Sequence, residues 1–234
     1  MAKDMSDVSL SREATELPAS LRANWATNKN GQTLGRKGME TRQRLMDVAR
    51  ELLRDRSPFE ITALLITRAA KTAAATFYLY FDDVEDLLYA LSAEISDEIE
   101  DLFDQGRLLR DPDRLYEEAA QFVKAYNAVW DRHSDILLYR NLEADRGNPR
   151  FNNLLTEASI PILNALAERI MAAYPQDQRP RRAVVYAEAI VFFVALERMA
   201  ASAHQYPEEG LNSAVLIEGQ ARVLARMLEK RAAA

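Results

Sequence analysis

Between residues 45 and 53 the apolar positions Leu45, Val48, Ala49, Leu52 and Leu53 fall at i, i+3, i+4, i+7 and i+8, the spacing of one helical face. The other face carries Arg42, Arg44, Arg50 and Arg54, and Ser57-Pro58 ends the pattern. Thr62 is placed to cap a second helix running to about Lys71, with Ile66 and Ala70 at its buried spacing, and a third short helix covers Ala73 to Leu79. Asp82-Asp83-Val84-Glu85 supplies a capping acid and an acidic first turn, after which Val84, Leu87, Leu88, Leu91 and Ile95 carry a long helix to about Phe103. Further helices are predicted at Pro112 to Asp131, Ser134 to Arg146, Pro149 to Tyr174 with a bend at Pro161, Arg179 to Gln205 and Leu211 to Arg231. The fold class is therefore all-α: an N-terminal three-helix unit, joined by a long helix to a larger C-terminal helical domain.

Residues 1 to 35 mix Ser, Thr, Asn and Gly with isolated apolar residues and no sustained period, so they read as a flexible arm, with a short helix possible only over Leu17 to Trp25. The chain divides into this arm, a compact unit over 36 to 82 and a domain over 83 to 234. Three short helices bury too little surface to stand alone, so the small unit must lean on the large one. The segment Ala183 to Ala201 is apolar nearly all round apart from Glu188, Glu197 and Arg198, the signature of a helix covered on two sides. Its small residues Ala183, Ala187, Ala195 and Ala201 allow another helix to approach closely, which suggests a homodimer built from the last two helices; the alternative is a central helix in a monomeric bundle.

Composition narrows the chemistry. With 48% hydrophobic and 28% charged residues, seven Gly and eight Pro in 234 positions, disorder and turn-rich β folds are disfavoured. The lack of Cys removes disulfides, zinc fingers, iron-sulfur ligation and thiol nucleophiles, and fits a reducing compartment. No apolar run follows Lys3, and the most apolar stretch, Ala183 to Leu196, is interrupted by Glu188, so neither a signal peptide nor a membrane span is expected and the location is read as cytoplasmic. The net charge of −6 is uneven: residues 36 to 81 hold nine basic and five acidic groups, whereas 82 to 104 hold ten acids and no Lys or Arg. A positive block ending at Phe81 is either an electrostatic footprint for phosphate or a pair of solvated helix faces. No Glu-x-x-His, His-Glu-x-x-His, Gly-x-Ser-x-Gly or phosphate-binding Gly loop occurs, and Asp131, His133 and Asp135 are spaced two apart, so they cannot all share a helix face. No catalytic residue, metal site or cofactor is expected, and the chain is not read as an enzyme.

The run Arg44-Leu45-Met46-Asp47-Val48-Ala49-Arg50-Glu51-Leu52-Leu53, then Ile61-Thr62, Ile66, Ala70 and Thr76-Phe77-Tyr78-Leu79-Tyr80-Phe81 with Leu87-Leu88 downstream, resembles the DNA-binding domain of the tetracycline-repressor (TetR) family. The stretch Asn141-Leu142-Glu143-Ala144-Asp145 followed by Pro149-Arg150-Phe151 is similar to the C-terminal domains of some members. The resemblance implies a helix-turn-helix made of the second and third helices, the third lying in the major groove. Base reading would fall to Ala63, Ala73, Ala74 and Thr76, and phosphate contact to Thr62, Tyr78 and Tyr80. Arg36, Lys37 and Arg42 would sit at the first helix, suited to phosphate or the minor groove. Tyr78 and Tyr80 are equally suited to packing, and Arg42 to a solvated charge.

Three departures from the family pattern carry consequences. Lys71 stands where the turn usually has Gly, so either the turn is strained or it has another geometry. Ala73, Ala74 and Ala75 offer methyl groups rather than donors, leaving thymine methyls, Thr76 and DNA shape for readout. Val84 replaces a Lys that usually touches phosphate, a loss the arm's Arg22, Lys29, Arg36 and Lys37 could offset.

The resemblance further implies a C-terminal small-molecule pocket whose ligand tilts the long connecting helix, so that two reading heads no longer match half-sites roughly 34 Å apart. Candidate wall residues are Phe103, Phe122, Tyr126, Trp130, His133, Tyr139, Phe151, Leu155, Tyr186, Phe193 and Glu197, any of which could instead be ordinary core, and His133 a cap on helix-end carbonyls. The implied partners are double-stranded operator DNA, a lipophilic or aromatic effector and a second copy of the chain, with no membrane. The implied role is a ligand-responsive regulator, a repressor by preference. The alternative is a helical ligand-binding or protein-binding dimer with little specific DNA affinity.

Overall fold

A computed structural model describes residue 27 and residues 32–104, 111–202 and 211–231; the arm's predicted helix over Leu17 to Trp25, with Arg22 and Lys29, lies outside them. Among the described residues eight α-helices follow in order: α1 Arg36–Leu53, α2 Ala63–Ala69, α3 Ala74–Tyr80, α4 Val84–Asp104, α5 Leu115–Asp145, α6 Pro149–Ala172, α7 Arg182–Ser202 and α8 Ser213–Leu228. The architecture is all-α, and the described residues contain no strand beyond an isolated bridge between Thr27 and Thr33.

Local chemistry sets several helix ends. Ser57 and Glu60 form a capping box around the short 3-10 turn Pro58–Glu60, the Glu60 carboxylate accepting from the Ser57 backbone N–H at 2.9 Å. Thr62 caps α2 by accepting from Leu65 N–H at 3.2 Å, and Asn148 and Asn212 cap α6 and α8 in the same manner. The α2 end is a Schellman motif, with Thr72 N–H donating to Thr67 O at 2.9 Å and Lys71 N–H to Arg68 O at 3.2 Å. Lys71 sits there at φ 54°, so the turn keeps the left-handed geometry and it is the lysine that accommodates it. The α5 end has the same motif with Gly147 at φ 85° in the corresponding place.

Helix α1 begins at Arg36, ahead of the apolar period that starts at Leu45, because Thr41 and the charged residues before it extend the solvent face without breaking period. The segments expected as separate helices on either side of residues 131 to 134 meet there in a kink within α5, at the non-helical residue His133 with φ −130° and ψ 19°. Pro161 lies inside α6.

One continuous apolar cluster runs from Leu45, Ile66 and Phe77 of the small unit through Leu88 and Leu91 of α4 to Phe122, Ile170 and Leu224. In the large domain α5 packs along α8, α6 along α7, and α4 lies against both α5 and α6. No helix among the described residues is long and apolar enough to cross a membrane.

Candidate nucleic-acid interface and ligand cavity

Helices α2 and α3 form the helix-turn-helix, held from within by Phe77, which is fully buried and stacks at 5.5 Å on Phe81. With Phe77 inward, the start of α3 points outward: Ala73, Ala74 and Ala75 are exposed and Thr76 is half-buried. Thr62 is exposed and Ala63 half-buried at the start of α2. Tyr78 is exposed, its ring meeting Phe77 edge-on at 5.4 Å, while Tyr80 is half-buried against the core. Arg36 and Lys37 are exposed, Arg36 pairing with Glu40 at 3.4 Å.

Arg42 is not available to phosphate. It is buried, its guanidinium lies 5.1 Å from the Phe81 ring centre, and Nη1 donates to the Met46 sulfur at 3.1 Å. Burial lowers its pKa against the opposing pull of Glu94 and Asp86. This corrects the expectation that it touches DNA: Arg42 is a cation under an aromatic lid that fastens α1 to the end of α3. Arg44, Arg68 and Lys71 are exposed cations of the same unit that the family motif does not single out, although the charge count already contained them.

Beyond the shared apolar core, an ion pair and an aromatic contact tie the small unit to the large domain. Arg50 of α1 forms an ion pair with Glu94 of α4. Phe59, in the 3-10 turn, meets Tyr139 of α5 edge-on at 5.6 Å, and Tyr139 in turn meets Phe151 at 5.6 Å, which meets Tyr89 at 5.5 Å. Burial, with Glu143 and Glu85 nearby, pushes the Tyr139 hydroxyl up to about 12. Tyr139 and Phe151 therefore belong to an inter-unit aromatic row and do not border the small cavity of the large domain. His133 likewise faces elsewhere: it borders an open cleft of about 540 Å³ between α1 and the α5 break, pairing at 3.2 Å with Glu98, which also holds Arg132. Burial lowers the His133 pKa despite that carboxylate.

A small cavity of about 10 Å³ lies among α4, α5, α6 and α7. Four of the expected wall residues border it: Tyr126, Leu155, Phe193 and Glu197. Phe103 and Phe122 stack at 4.5 Å immediately behind, Phe103 reaching Phe193 at 6.3 Å and Phe122 reaching Tyr126 at 6.4 Å. Trp130 is buried one turn from Tyr126, and Tyr186 is half-buried on α7 without bordering the cavity. What the sequence did not single out is the charge inside: Arg140, 3% exposed, donates to Glu197 at 2.6 Å, with Ser96 at 3.5 Å and Asn141 at 3.0 Å as further partners. The run of residues around Asn141 pointed near it, but the pairing with Glu197 arises only when α5 and α7 meet. The Tyr126 hydroxyl and the Trp130 Nε1 are buried together, the indole N–H against the phenol oxygen, and the hydroxyl hydrogen meets no acceptor, a state that costs about 1–3 kcal/mol. Burial first, then the charge of Glu197, raises the Tyr126 pKa far above the ordinary phenol value. No group of three or more metal-ligating side chains occurs among the described residues.

Comparison with known proteins agrees with this geometry at the level of fold. A TetR-family transcriptional regulator from Streptomyces coelicolor superposes with a TM-score of 0.59 at 23% identity, over 83% of this chain and 82% of that one. The chain has the fold of TetR-family regulators. The fatty acid degradation regulator FadR from Bacillus halodurans matches with a TM-score of 0.57 at 18% identity, over 86% of this chain and all of its own. Thermus thermophilus FadR, a TetR-family repressor solved in complex with lauroyl-CoA, matches with a TM-score of 0.50 at 25% identity, over 82% and 97%. No family model matches the sequence, and no curated protein does.

Proposed function

We propose that this TetR-fold chain is a homodimeric, ligand-responsive transcriptional regulator, with a repressor as the preferred sign. The observation that carries the reading is the helix-turn-helix itself: Phe77 and Phe81 lock α3 onto the core, while its opposite face, from Ala73 to Thr76 and on to Tyr78, stands free beside exposed Arg44, Arg68 and Lys71. A short helix held rigidly from behind, with exposed cations around it, suits insertion into a major groove. The alanines supply methyl contacts, Thr76 the polar one, and the cations the salt-sensitive grip on phosphate.

The second domain supports the other half of the reading. Its cavity combines apolar walls with a few converging polar groups, as effector sites do. An acyl ligand of the sort held by Thermus thermophilus FadR is compatible with such walls. The exposed apolar residues of α7 and α8 provide a surface for a second copy, so that two heads address successive grooves.

The test is fluorescence anisotropy of the full chain against DNA fragments from upstream of its own coding region, at two salt concentrations, with random DNA as competitor. Tight, competitor-resistant and salt-sensitive binding to one fragment is expected. Absence of preference over random DNA at both salts would overturn the regulator reading and favour a ligand-binding dimer without a specific DNA site, the reading that the three exposed alanines suit.

A further inference from the structure

With the cavity taken as the effector site of the proposed regulator, on which reading its occupant's chemistry depends, the Tyr126 hydroxyl constrains what can fill it. Tyr126 is fully buried and borders the cavity, and its hydroxyl hydrogen meets no acceptor among the described residues. The Trp130 indole N–H can only donate, and it lies against the phenol oxygen. A deeply buried phenol near the carboxylate of Glu197 keeps its proton, so the Tyr126 hydroxyl is the donor awaiting an acceptor.

The rest of the lining limits what that acceptor can be. Arg140 and Glu197 neutralise each other at 2.6 Å, and Arg140 has Ser96 and Asn141 as its other partners, so the cavity presents no unbalanced positive charge. A carboxylate entering here would face Glu197 without a free cation to meet it, and an ammonium would meet the Tyr126 hydroxyl, itself a donor. Ile99, Leu155, Ile162 and Phe193 supply apolar contact for the remainder of the molecule.

We propose that the cavity's effector is a neutral, mainly apolar molecule bearing a carbonyl oxygen, as in a ketone, ester, lactone or thioester, which accepts the hydrogen bond of Tyr126. At about 10 Å³ the cavity holds a single water at most, so a larger ligand fits only if a wall moves. That wall is α6. Leu155, Ala158, Ser159 and Ile162 bracket Pro161, whose missing N–H deletes one helical hydrogen bond, and Ser159 already bonds back to Leu155 O at 2.6 Å.

The experiment uses the full chain carrying Trp25→Phe, which leaves Trp130 as its one tryptophan. Its emission is titrated with 2-alkanones of graded length from octanone to tetradecanone, and with the fatty acid anions and alkylamines of matched length. The best 2-alkanone is expected to bind at least tenfold more tightly than its matched anion or amine. Tyr126→Phe should weaken that ketone roughly 3- to 10-fold, the value of one neutral hydrogen bond, while leaving the urea midpoint unchanged or raised, because an unpaired polar atom has gone. Anion binding equal to or tighter than ketone binding, ketone binding indifferent to Tyr126→Phe, or no ketone binding at any length would each overturn the proposal, the last leaving the site to a buried water. Operator anisotropy on the same preparation separates the two readings: ketone preference without DNA preference sinks the regulator, and DNA preference without ketone preference sinks this assignment.

Discussion

Lys71 occupies a backbone conformation that costs an L-residue about 1–2 kcal/mol and glycine almost nothing. Its side chain is exposed, so little packing is at stake. Lys71→Gly is therefore expected to stabilise the fold by up to about 1 kcal/mol, after the entropy that glycine loses on folding, while Lys71→Val should destabilise it. Urea midpoints of the two variants check this, and a fall with glycine would mean that the lysine makes a compensating contact. The same position faces the proposed DNA surface, so the lysine's retention at a strained site is consistent with a charge wanted there. At Arg140 the sign is different. Arg140→Met strands the Glu197 carboxylate in a site where it is only 16% exposed and should cost about 3–5 kcal/mol, whereas Arg140→Met combined with Glu197→Leu should recover most of that loss. Equal instability in the single and double variants would show that arginine packing, not charge pairing, is what matters.

His133 adds a pH dependence. Its folded pKa lies below the unfolded value of 6.5, so between the two the unfolded chain holds a proton that the native state refuses. Stability should fall as pH drops through 6.5 and stop falling once the native imidazole also protonates. Glu98 of α4 opposes this loss, while Arg132 and, across the cleft, Arg50 of α1 add to it. Urea titrations at pH 7.5 and 5.5 should show a larger drop for the native chain than for His133→Gln; equal drops would place the titrating group elsewhere.

At the scale of elements, periodicity and the Thr62 cap made most of the helices legible, because both act on neighbours within a few residues. What lay beyond the sequence was always a matter of which helices meet. Arg42 sits on the polar face of α1 by period, yet Phe81 and Met46 draw it inward. Tyr126 and Tyr139 look alike in the sequence, and both lie on α5, but one faces α7 and the cavity while the other faces the 3-10 turn of the small unit. The Phe59–Tyr139 contact is a side-chain tie between the small unit and the large domain. Phe59 is 62% exposed, so Phe59→Ala should cost no more than about 1.5 kcal/mol of global stability. Amide exchange across residues 58 to 80 should nevertheless quicken more than in α5, and unchanged exchange there would mean that Arg50 with Glu94 carries the attachment.

For the whole molecule, an apolar stripe on α7 stands uncovered among the described residues. Val184, Ile190, Val191 and Val194 are exposed along it, with Ala183, Ala187 and Ala195 beside them, and Val191 alone is 70% exposed. Beside them on α8, Val215 and Val223 flank Gly219, where an added Cβ would touch nothing. Burying one valine fully contributes about 1.5–3 kcal/mol, so a patch of this size facing water is a standing penalty that a second copy would remove. Two-fold pairing would bring the same stripe from both chains together, and a charge at its centre would then meet its own image. Val191→Arg changes nothing in the core of one chain, so its helical circular dichroism should match the parent. Its mass by light scattering should fall to the 26.5 kDa of a single chain. With one head left per particle, affinity for a two-half-site fragment should collapse and the salt slope should drop toward half, since half the phosphate contacts remain. A Val191→Arg protein that stays dimeric and keeps its operator affinity would move the interface off this stripe, and the spacing of the two heads would have to be set by some other face of the large domain.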